Sequence, residues 1–343
     1  MIGRLPQSRT TAWWLVVVGG LLTVVAVAVV VSLGLGQVNI PVGDVWAALT
    51  GGHEEGNLAS RIVLDLRLPR LALALLVGAQ LAVSGAILQG VTRNALASPD
   101  LLGVTAGAGF VAVILVLVIP DAPRALLPFA ALAGGAASGT IVYLIAWKQG
   151  VSPERLALTG IAVTAIFQAA VTAVVTLSVE NNNVQLALQW LTGSLYGRGW
   201  EDLWLLLPWS VAGITVALVV AHKVNLLLLG DHVAAGLGMR IEQARMTLVG
   251  IAVMLAASAV SITGTVAFIG LVIPHLVRLL IGADHRLVLP VSAIAGAILL
   301  LVADDIARTV VPSLEIPAGL LTALIGAPYF IYLITRSKTR ISV

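Results

Sequence analysis

The stretch Gly264–Pro290, GTVAFIGLVIPHLVRLLIGADHRLVLP, decides the fold that this sequence predicts. It begins with a turn residue, is mostly apolar as far as Ile281, and ends in a basic cluster formed by Arg278, His285 and Arg286. An apolar run of this length, closed by cations, is typical of a helix that crosses a lipid bilayer and ends at the cytoplasmic headgroups. The sequence therefore predicts a membrane-spanning helix here.

The composition of the whole chain supports a membrane protein. Its mean hydropathy is +1.05, and 10% of its 343 residues are charged, whereas soluble domains have roughly 25%. The 34 glycines suit close helix contacts in lipid. The pI of 9.6 does not indicate a nucleic-acid partner, because basic cytoplasmic loops raise the pI of most inner-membrane proteins. The absence of cysteine excludes disulfides, thiolate metal sites and a cysteine nucleophile.

Apolar segments of spanning length recur along the chain, which predicts an all-α integral membrane protein with about ten spans in a single domain over residues 1–343. The first run continues to about Leu35 and is too long for a signal peptide, so we expect a retained helix. The predicted spans are Ala12–Leu35, Leu68–Val91, Leu101–Ile119, Ala125–Trp147, Ala157–Val179, Leu203–Ala221, Ala244–Ile262, Val266–Ile281, Val288–Val311 and Pro317–Thr335.

Basic residues decide the predicted orientation. With both termini in the cytoplasm, thirteen of the 19 lysines and arginines fall on the inner side and six on the outer side, an excess that supports this arrangement. The inner set is Arg4, Arg9, Arg93, Lys148, Arg155, Lys223, Arg240, Arg245, Arg278, Arg286, Arg336, Lys338 and Arg340. The outer set is Arg61, Arg67, Arg70, Arg124, Arg198 and Arg308.

Three connections are longer than a turn. The outer segment Gly36–Arg67 contains a short helix candidate at Val42–Leu49, and the inner segment 222–243 is predicted to lie in the cytoplasm. The segment 181–199 is too short to span and too apolar for a plain loop, which predicts a short helix at the outer interface. Its expected headgroup anchors are Trp190, Tyr196 and Trp200.

Eight stretches are characteristic in combination. They are LRLPR (66–70), VGAQLAVSGAILQG (77–90), RNALASPDLLGVTAGA (93–108), QWLTGSL (189–195), LLGDHVAAGLG (228–238), FIGLVIPHLVRLLIGADHR (268–286), GAILLLVADDIAR (296–308) and EIPAGLLTALIGAPYF (315–330). In this order and spacing they resemble the FecCD type of permease subunit, found in ABC importers for iron–siderophore complexes, haem and vitamin B12. One departure is Ala95, where the family usually has proline.

The resemblance implies a ten-helix subunit that dimerises around a central pathway, with an identical or a similar permease as its partner. Two cytoplasmic ATPase subunits would bind below, and a substrate-binding protein would dock on the outer side of a bacterial inner membrane. A ferric siderophore is the expected cargo, while haem and vitamin B12 remain open. The chain contains no GxxxxGK[ST] and no Gly-Lys pair, so it is not expected to be an enzyme. ATP and Mg would be used by the partner ATPase, and this chain would bind no cofactor or metal.

The family places its ATPase-coupling helix in the inner segment. Gly and Asp at positions 230 and 231 are suited to a turn and a helix start, since aspartate favours the positive helix N-terminus. The residues that follow would present a small, partly apolar docking surface. The alternative is an ordinary loop helix. The predicted coupling residues are Gly230, Asp231, Ala234, Ala235, Leu237 and Gly238.

Three outer arginines, Arg67, Arg70 and Arg308, lie on the side where basic residues are disfavoured. In the family, arginines of these motifs meet acidic residues of the binding protein, and the planar guanidinium pairs bidentately with carboxylates. The alternative is pairing within the subunit, because Asp304 and Asp305 precede Arg308 by one helical turn.

A polar stripe with four-residue spacing lies on one face of the fifth span. In lipid such groups must face protein or water. They either line the transport pathway, as this helix does in the family, or form interhelical hydrogen bonds worth about 0.6 kcal/mol each. The stripe is Thr164, Gln168, Thr172 and Thr176, and the same question applies to Gln80 and Ser84 on the second span.

Two other functions remain as alternatives. An ion-coupled secondary transporter would need unpaired intramembrane acids, and the candidates are Asp304 and Asp305. An intramembrane protease would use Asp231, or Ser84 with His275, but nothing in the sequence brings such a pair together. His275 is interpreted as a structural residue rather than a proton relay or metal ligand, because no partner lies at ligand spacing.

Overall fold

Helices form nearly all of the regular structure in this computed structural model, which describes residues 10–51, 57–119, 121–148, 151–178, 183–310 and 316–336. A π-helical segment, Ile62–Arg67, joins α3 to α4, and 3-10 turns occupy Pro99–Leu102 and Arg124–Leu126. The α-helices are α1 (Thr10–Gly34), α2 (Val42–Thr50), α3 (Leu58–Arg61), α4 (Leu68–Thr92), α5 (Val104–Leu117), α6 (Leu127–Ala146), α7 (Pro153–Leu177), α8 (Val184–Thr192), α9 (Trp200–Val219), α10 (Ala221–Leu228), α11 (Asp231–Gly236), α12 (Ile241–Thr263), α13 (Ile269–Ile281), α14 (His285–Thr309) and α15 (Ala318–Arg336).

The all-α fold class is confirmed. Among the described residues, seven helices are long and apolar enough to cross a membrane, and α5, α13 and α15 are shorter apolar helices. These helices match the ten predicted spans in order, while the number of actual crossings and the dimer stay predictions. The termini, residues 1–9 and 337–343, lie outside the described ranges. The end of the bundle that carries α10 and α11 is called the inner end below, because the charge distribution predicts it to be cytoplasmic.

Helix α4 is the centre of the bundle and packs against α9, α12, α13 and α14. Most of its side chains are buried, as expected of a helix surrounded by other helices. Two of its glycines mark close backbone approaches. A Cβ on Gly85 would lie 1.8 Å from the carbonyl oxygen of Gly270 in α13, and a Cβ on Gly78 would lie 2.2 Å from that of Gly296 in α14. Small residues at such points let helices in lipid approach closely.

The proline in α13 creates a backbone defect that α4 repairs. Pro274 has no N–H, so the carbonyl of Gly270, one turn earlier, has lost its usual donor. Gln89 of α4 supplies that donor, because its Nε2 lies 3.2 Å from the Gly270 oxygen and 3.0 Å from the Leu271 oxygen. Arg278 of α13 donates to Gln89 Oε1, which fixes the orientation of the amide. The interruption in α13 is therefore compensated inside the protein, as a membrane-buried carbonyl requires.

Two outer short helices form where they were expected. Helix α2 coincides with the candidate at Val42–Leu49, and α8 lies within 181–199, of which residues 181–182 are outside the described ranges. The prediction that Trp190 is a headgroup anchor is wrong, because its side chain is only 6% exposed and packs in the core. Tyr196 is exposed, and Trp200 donates its Nε1–H to the carbonyl of Leu64 at 3.0 Å.

The close approach of α4 and α13 predicts that alanine is tolerated less well at Gly85 than at a glycine with free space around it. Gly85→Ala should destabilise the folded subunit by about 1–3 kcal/mol, because the added methyl overlaps backbone atoms that cannot move aside easily. Gly250→Ala in α12 is the matched control, since a Cβ there meets no atom within 4 Å. Thermal unfolding of both variants in detergent micelles should show a lower midpoint for Gly85→Ala alone. Equal midpoints would contradict the packing described.

Candidate functional site

The predicted coupling segment folds into two short helices at the inner end, α10 and α11. Gly230 precedes α11 with φ of 100°, and Gly238 follows it with φ of 85°, in the left-handed region that favours glycine. The turn after α11 is closed by backbone bonds from Gly238 N to Ala235 O (2.9 Å) and from Met239 N to Ala234 O (3.0 Å), a common helix stop. The predicted helix start at Asp231 is confirmed.

Apolar side chains in α11 and next to its two ends are exposed to solvent. Leu229, Val233 and Leu237 are all more than half exposed, and they are called the inner patch below. Exposed apolar clusters of this kind usually mark sites of protein–protein contact. Ala235 and Gly238 are exposed beside the patch. The prediction that Ala234 belongs to the docking surface is wrong, because its side chain is fully buried within its own subunit.

One carboxylate ties α11 to the two central helices of the bundle. Asp231 Oδ1 accepts from Arg93 Nη2 at the end of α4, and both Asp231 oxygens lie 3.2 Å from Arg245 Nη2 in α12. Arg93 also donates through Nε to the carbonyl of Leu227, in the last turn of α10, at 2.9 Å. These three charged residues, Asp231, Arg93 and Arg245, are called the Asp231 cluster. It joins α10 and α11 to α4 and α12.

Arg245 brings a third part of the inner end into the cluster. Arg245 is only 2% exposed, and its Nη1 donates to the carbonyl of Val151, just before α7. Glu242, one turn earlier in α12, lies 3.7 Å from the same guanidinium and accepts from Val151 N at 3.4 Å. The connection between α6 and α7 is thus held by the same residues as α11.

The polar stripe of α7 borders a cavity of about 670 Å³ between α5, α7, α8, α13 and α15. Gln168 and Thr172 are among its lining residues, together with polar groups of Ser98 and Thr105. Thr164 instead donates to the carbonyl of Asp100 at 3.2 Å. Thr176 is also exposed but lies outside the cavity lining. The pathway-lining role of this face stays a prediction, and two of its four members are placed for it.

The prediction that Gln80 and Ser84 line the pathway is wrong, because both side chains are fully buried between α4 and α12. Ser84 Oγ donates to the carbonyl of Ala252 at 2.7 Å, and Gln80 Nε2 donates to Ser258 Oγ at 3.3 Å. These residues form interhelical hydrogen bonds, the alternative that their positions left open. They join α4 and α12 side to side.

The three predicted docking arginines have partners inside the subunit. Arg70 forms a bidentate pair with Asp304, with Nε–Oδ2 at 2.8 Å and Nη2–Oδ1 at 2.9 Å. Arg308 pairs with Asp305 at 2.6 Å, the intrahelical contact expected from their spacing. Both acids therefore have arginine partners at the outer end of α14.

Arg67 and Arg308 also hold the end of α1. Arg67 donates to the carbonyls of Leu33 (2.6 Å) and Val38, while Arg308 donates to the carbonyl and hydroxyl of Ser32. Both arginines are more than nine-tenths buried. The π-helical turn that ends at Arg67 lies two residues before Pro69, whose nitrogen cannot donate to the α-helical hydrogen-bond ladder. Arg67 and Arg308 are buried in this structure, which corrects the prediction that they meet the binding protein. Arg70 is partly exposed, and its docking role stays a prediction.

Within the described ranges, no group of three or more histidine, aspartate and glutamate residues could hold a metal ion. His275 packs edge-on against Tyr329, with ring centroids 6.3 Å apart. His285 is buried rather than at the aqueous edge, with its Nδ1 3.0 Å from the carbonyl of Ala283. Neither histidine is part of a cluster that could carry out chemistry.

A bundle of mostly apolar helices with a cavity between them and an exposed apolar patch at one end is typical of a membrane transport subunit. The chain matches the FecCD transport family over residues 21–336 and belongs to that family. The family resemblance noted from the sequence motifs is thereby confirmed.

Curated relatives cover nearly the whole chain. The chain is 43% identical to the Fe(3+)-citrate import system permease protein YfmE of Bacillus subtilis, over 92% of this chain and 93% of the relative. It is 39% identical to the iron(3+)-hydroxamate import system permease protein FhuG of the same organism, over 94% and 98%. A solved structure of a metal-chelate type ABC transporter in an inward-facing conformation superposes with a TM-score of 0.81 at 30% identity, covering 93% of this chain and 98% of the other.

Replacing only one partner of the Arg70–Asp304 pair is expected to lower the stability of the folded subunit strongly. Asp304→Asn should destabilise the subunit by about 3–5 kcal/mol, because it leaves a largely buried guanidinium without its counter-charge. The double variant Arg70→Met/Asp304→Leu should recover most of that loss, since no uncompensated charge remains. Unfolding midpoints in detergent micelles measure both. A double variant as unstable as Asp304→Asn would show that the pair itself is not the cause.

Proposed function

We propose that this chain is the permease subunit of an ATP-driven importer that moves ferric chelates, of the siderophore or citrate class, across a bacterial cytoplasmic membrane. The inner patch carries this proposal, because it places exposed apolar side chains on and beside a short helix that charged side chains join to the central helices. Such a helix is suited to receiving movement from a partner protein. The family and the printed functions of its relatives supply the cargo class.

The energy for transport comes from partner subunits in this proposal. Because the sequence of this chain contains no phosphate-binding GxxxxGK[ST] loop, ATP and Mg are used by two ATPase subunits. These subunits bind the inner patch. A second permease, identical or similar, completes the pathway, and a substrate-binding protein delivers the chelate from outside. This chain itself binds no cofactor, and lipid surrounds its apolar helices.

The cavity supports a bulky cargo. Its volume of about 670 Å³ in one subunit falls within the usual range of roughly 300–1,000 Å³ for small-molecule sites. Its lining is mostly apolar with scattered hydroxyl and amide groups and one acidic residue, Asp100, a surface that suits the passage of large complexes without tight binding. Haem and vitamin B12 are the alternative cargoes.

Ion-coupled transport has little support by comparison. A coupling ion requires an acid that is free to bind and release it inside the membrane. Asp304 and Asp305, the acids that this alternative named, are both paired with arginines.

Reconstitution tests the proposal. The permease should be assembled in proteoliposomes with its ATPase and binding protein and offered iron-labelled citrate and hydroxamate complexes, haem and cobalamin. We expect uptake of a ferric chelate that requires ATP on the ATPase side and is insensitive to a protonophore. Uptake that does not depend on ATP but is abolished by the protonophore would favour the secondary transporter.

The inner patch predicts where the ATPase binds. Leu237→Asp places a charge in the inner patch, at its most exposed residue, and should greatly reduce copurification of the ATPase. Gln243→Asp is the control, because it adds the same charge to an exposed position at the start of α12, outside the patch. Copurification with both variants at the level of the parent would place the ATPase elsewhere.

A further inference from the structure

The backbone on both sides of α11 is poorly suited to transmitting force. The helix has six residues, and glycines in left-handed conformations flank it at positions 230 and 238. A Cβ at either glycine would meet no atom within 4 Å, so neither is held by surrounding side chains. Glycine has the greatest backbone freedom of any residue. A push on the inner patch would therefore tilt α11 unless side chains hold the helix to the bundle.

The Asp231 cluster provides that connection. Asp231 is the first residue of α11, and its carboxylate contacts guanidinium groups from two different helices, α4 and α12. Planar guanidinium groups hold a carboxylate in a defined orientation better than a point charge does. Arg93 also holds the last turn of α10 through the carbonyl of Leu227. The two short helices are thus fixed to the same point at the end of α4.

The helices that receive these contacts are joined to each other. Gln80 and Ser84 of α4 donate hydrogen bonds to Ser258 and Ala252 of α12. Arg245 of α12 is buried and reaches both Asp231 and the carbonyl of Val151. A displacement of α11 is therefore applied to α4 and α12 together, at the centre of the bundle.

We propose that the Asp231 cluster is the mechanical joint of the permease: Arg93 and Arg245 act as positioning residues that hold Asp231, and through it α11, so that movement of the ATPase reaches α4 and α12. This inference rests on the proposed function for its source of movement. The geometric part concerns this chain alone and is open to a separate measurement.

The first measurement needs no partner. Because the chain has no cysteine, Leu237→Cys introduces a single site for a nitroxide label on α11. In the purified permease, the label should give an ordered spectrum, and adding Asp231→Asn or Arg93→Gln should make it clearly more mobile. Adding Arg286→Gln is the control, since this removes an exposed inner arginine at the start of α14, outside the cluster. An unchanged spectrum in Asp231→Asn would overturn the inference whatever the protein transports.

The second measurement uses the reconstituted importer without the label. Asp231→Asn and Arg93→Gln should each lower the chelate transported per ATP hydrolysed by about fivefold or more, the lower range of allosteric coupling, while the ATPase still copurifies. The double variant should lose less than the two single losses combined, because both substitutions remove the contact between Arg93 and Asp231. Asp231→Glu should restore part of the coupling, and Arg286→Gln should resemble the parent.

The outcomes separate the two proposals. A parent complex without ATP-dependent uptake would contradict the proposed function, while the label spectra would still test the joint. If Asp231→Asn transports as much chelate per ATP as the parent, the inference about the joint is overturned and the importer assignment stays intact. Strictly additive losses in the double variant would also overturn it, because Arg93 would then act by a route other than Asp231.

Discussion

A polar group inside a bilayer has no water to replace a lost partner, and the arrangement of this permease follows from that constraint. The repair of the proline defect in α13 is the clearest case. Gln89 reaches the carbonyls of Gly270 and Leu271, and Arg278 orients its amide. This contact requires α4 to lie directly against α13, which glycine at positions 85 and 270 permits. The polar repair and the close packing therefore depend on each other.

The course of the helices was predictable because it depends on local properties. Apolar length and terminal charge placed the ten main helices in order, and the Gly-Asp pair at 230–231 placed the start of α11. The direction in which individual side chains point was less predictable. Gln80, Ser84 and Trp190 carry groups that are favourable at a pathway or an interface, yet all three are buried, because neighbouring helices surround them. Helix periodicity assigns residues to a face but does not identify what covers that face.

The functional contacts that the sequence did not predict are long-range. Arg93 and Asp231 are 138 residues apart, and Arg70 and Asp304 are 234 apart. Nothing in the local pattern selects these partners from the other charged residues. One signal was available for Gln89: a proline inside an apolar helix leaves a carbonyl without its donor, so a polar side chain on an adjacent helix should replace it. That argument predicts the need for a partner but not its position.

The end of α1 has a consequence for biosynthesis. Its carbonyl at Ser32 is bound by Arg308, which lies 276 residues later in the chain. At roughly 5–20 residues per second, the ribosome needs about 15–55 s to supply that arginine after Ser32 has emerged. Until then, the carbonyl of Ser32 must rely on water at the membrane surface, while Arg67 can already hold the carbonyl of Leu33. The contact between the ends of α1 and α14 therefore forms only after α14 has been made, and a chain truncated before α14 would lack it.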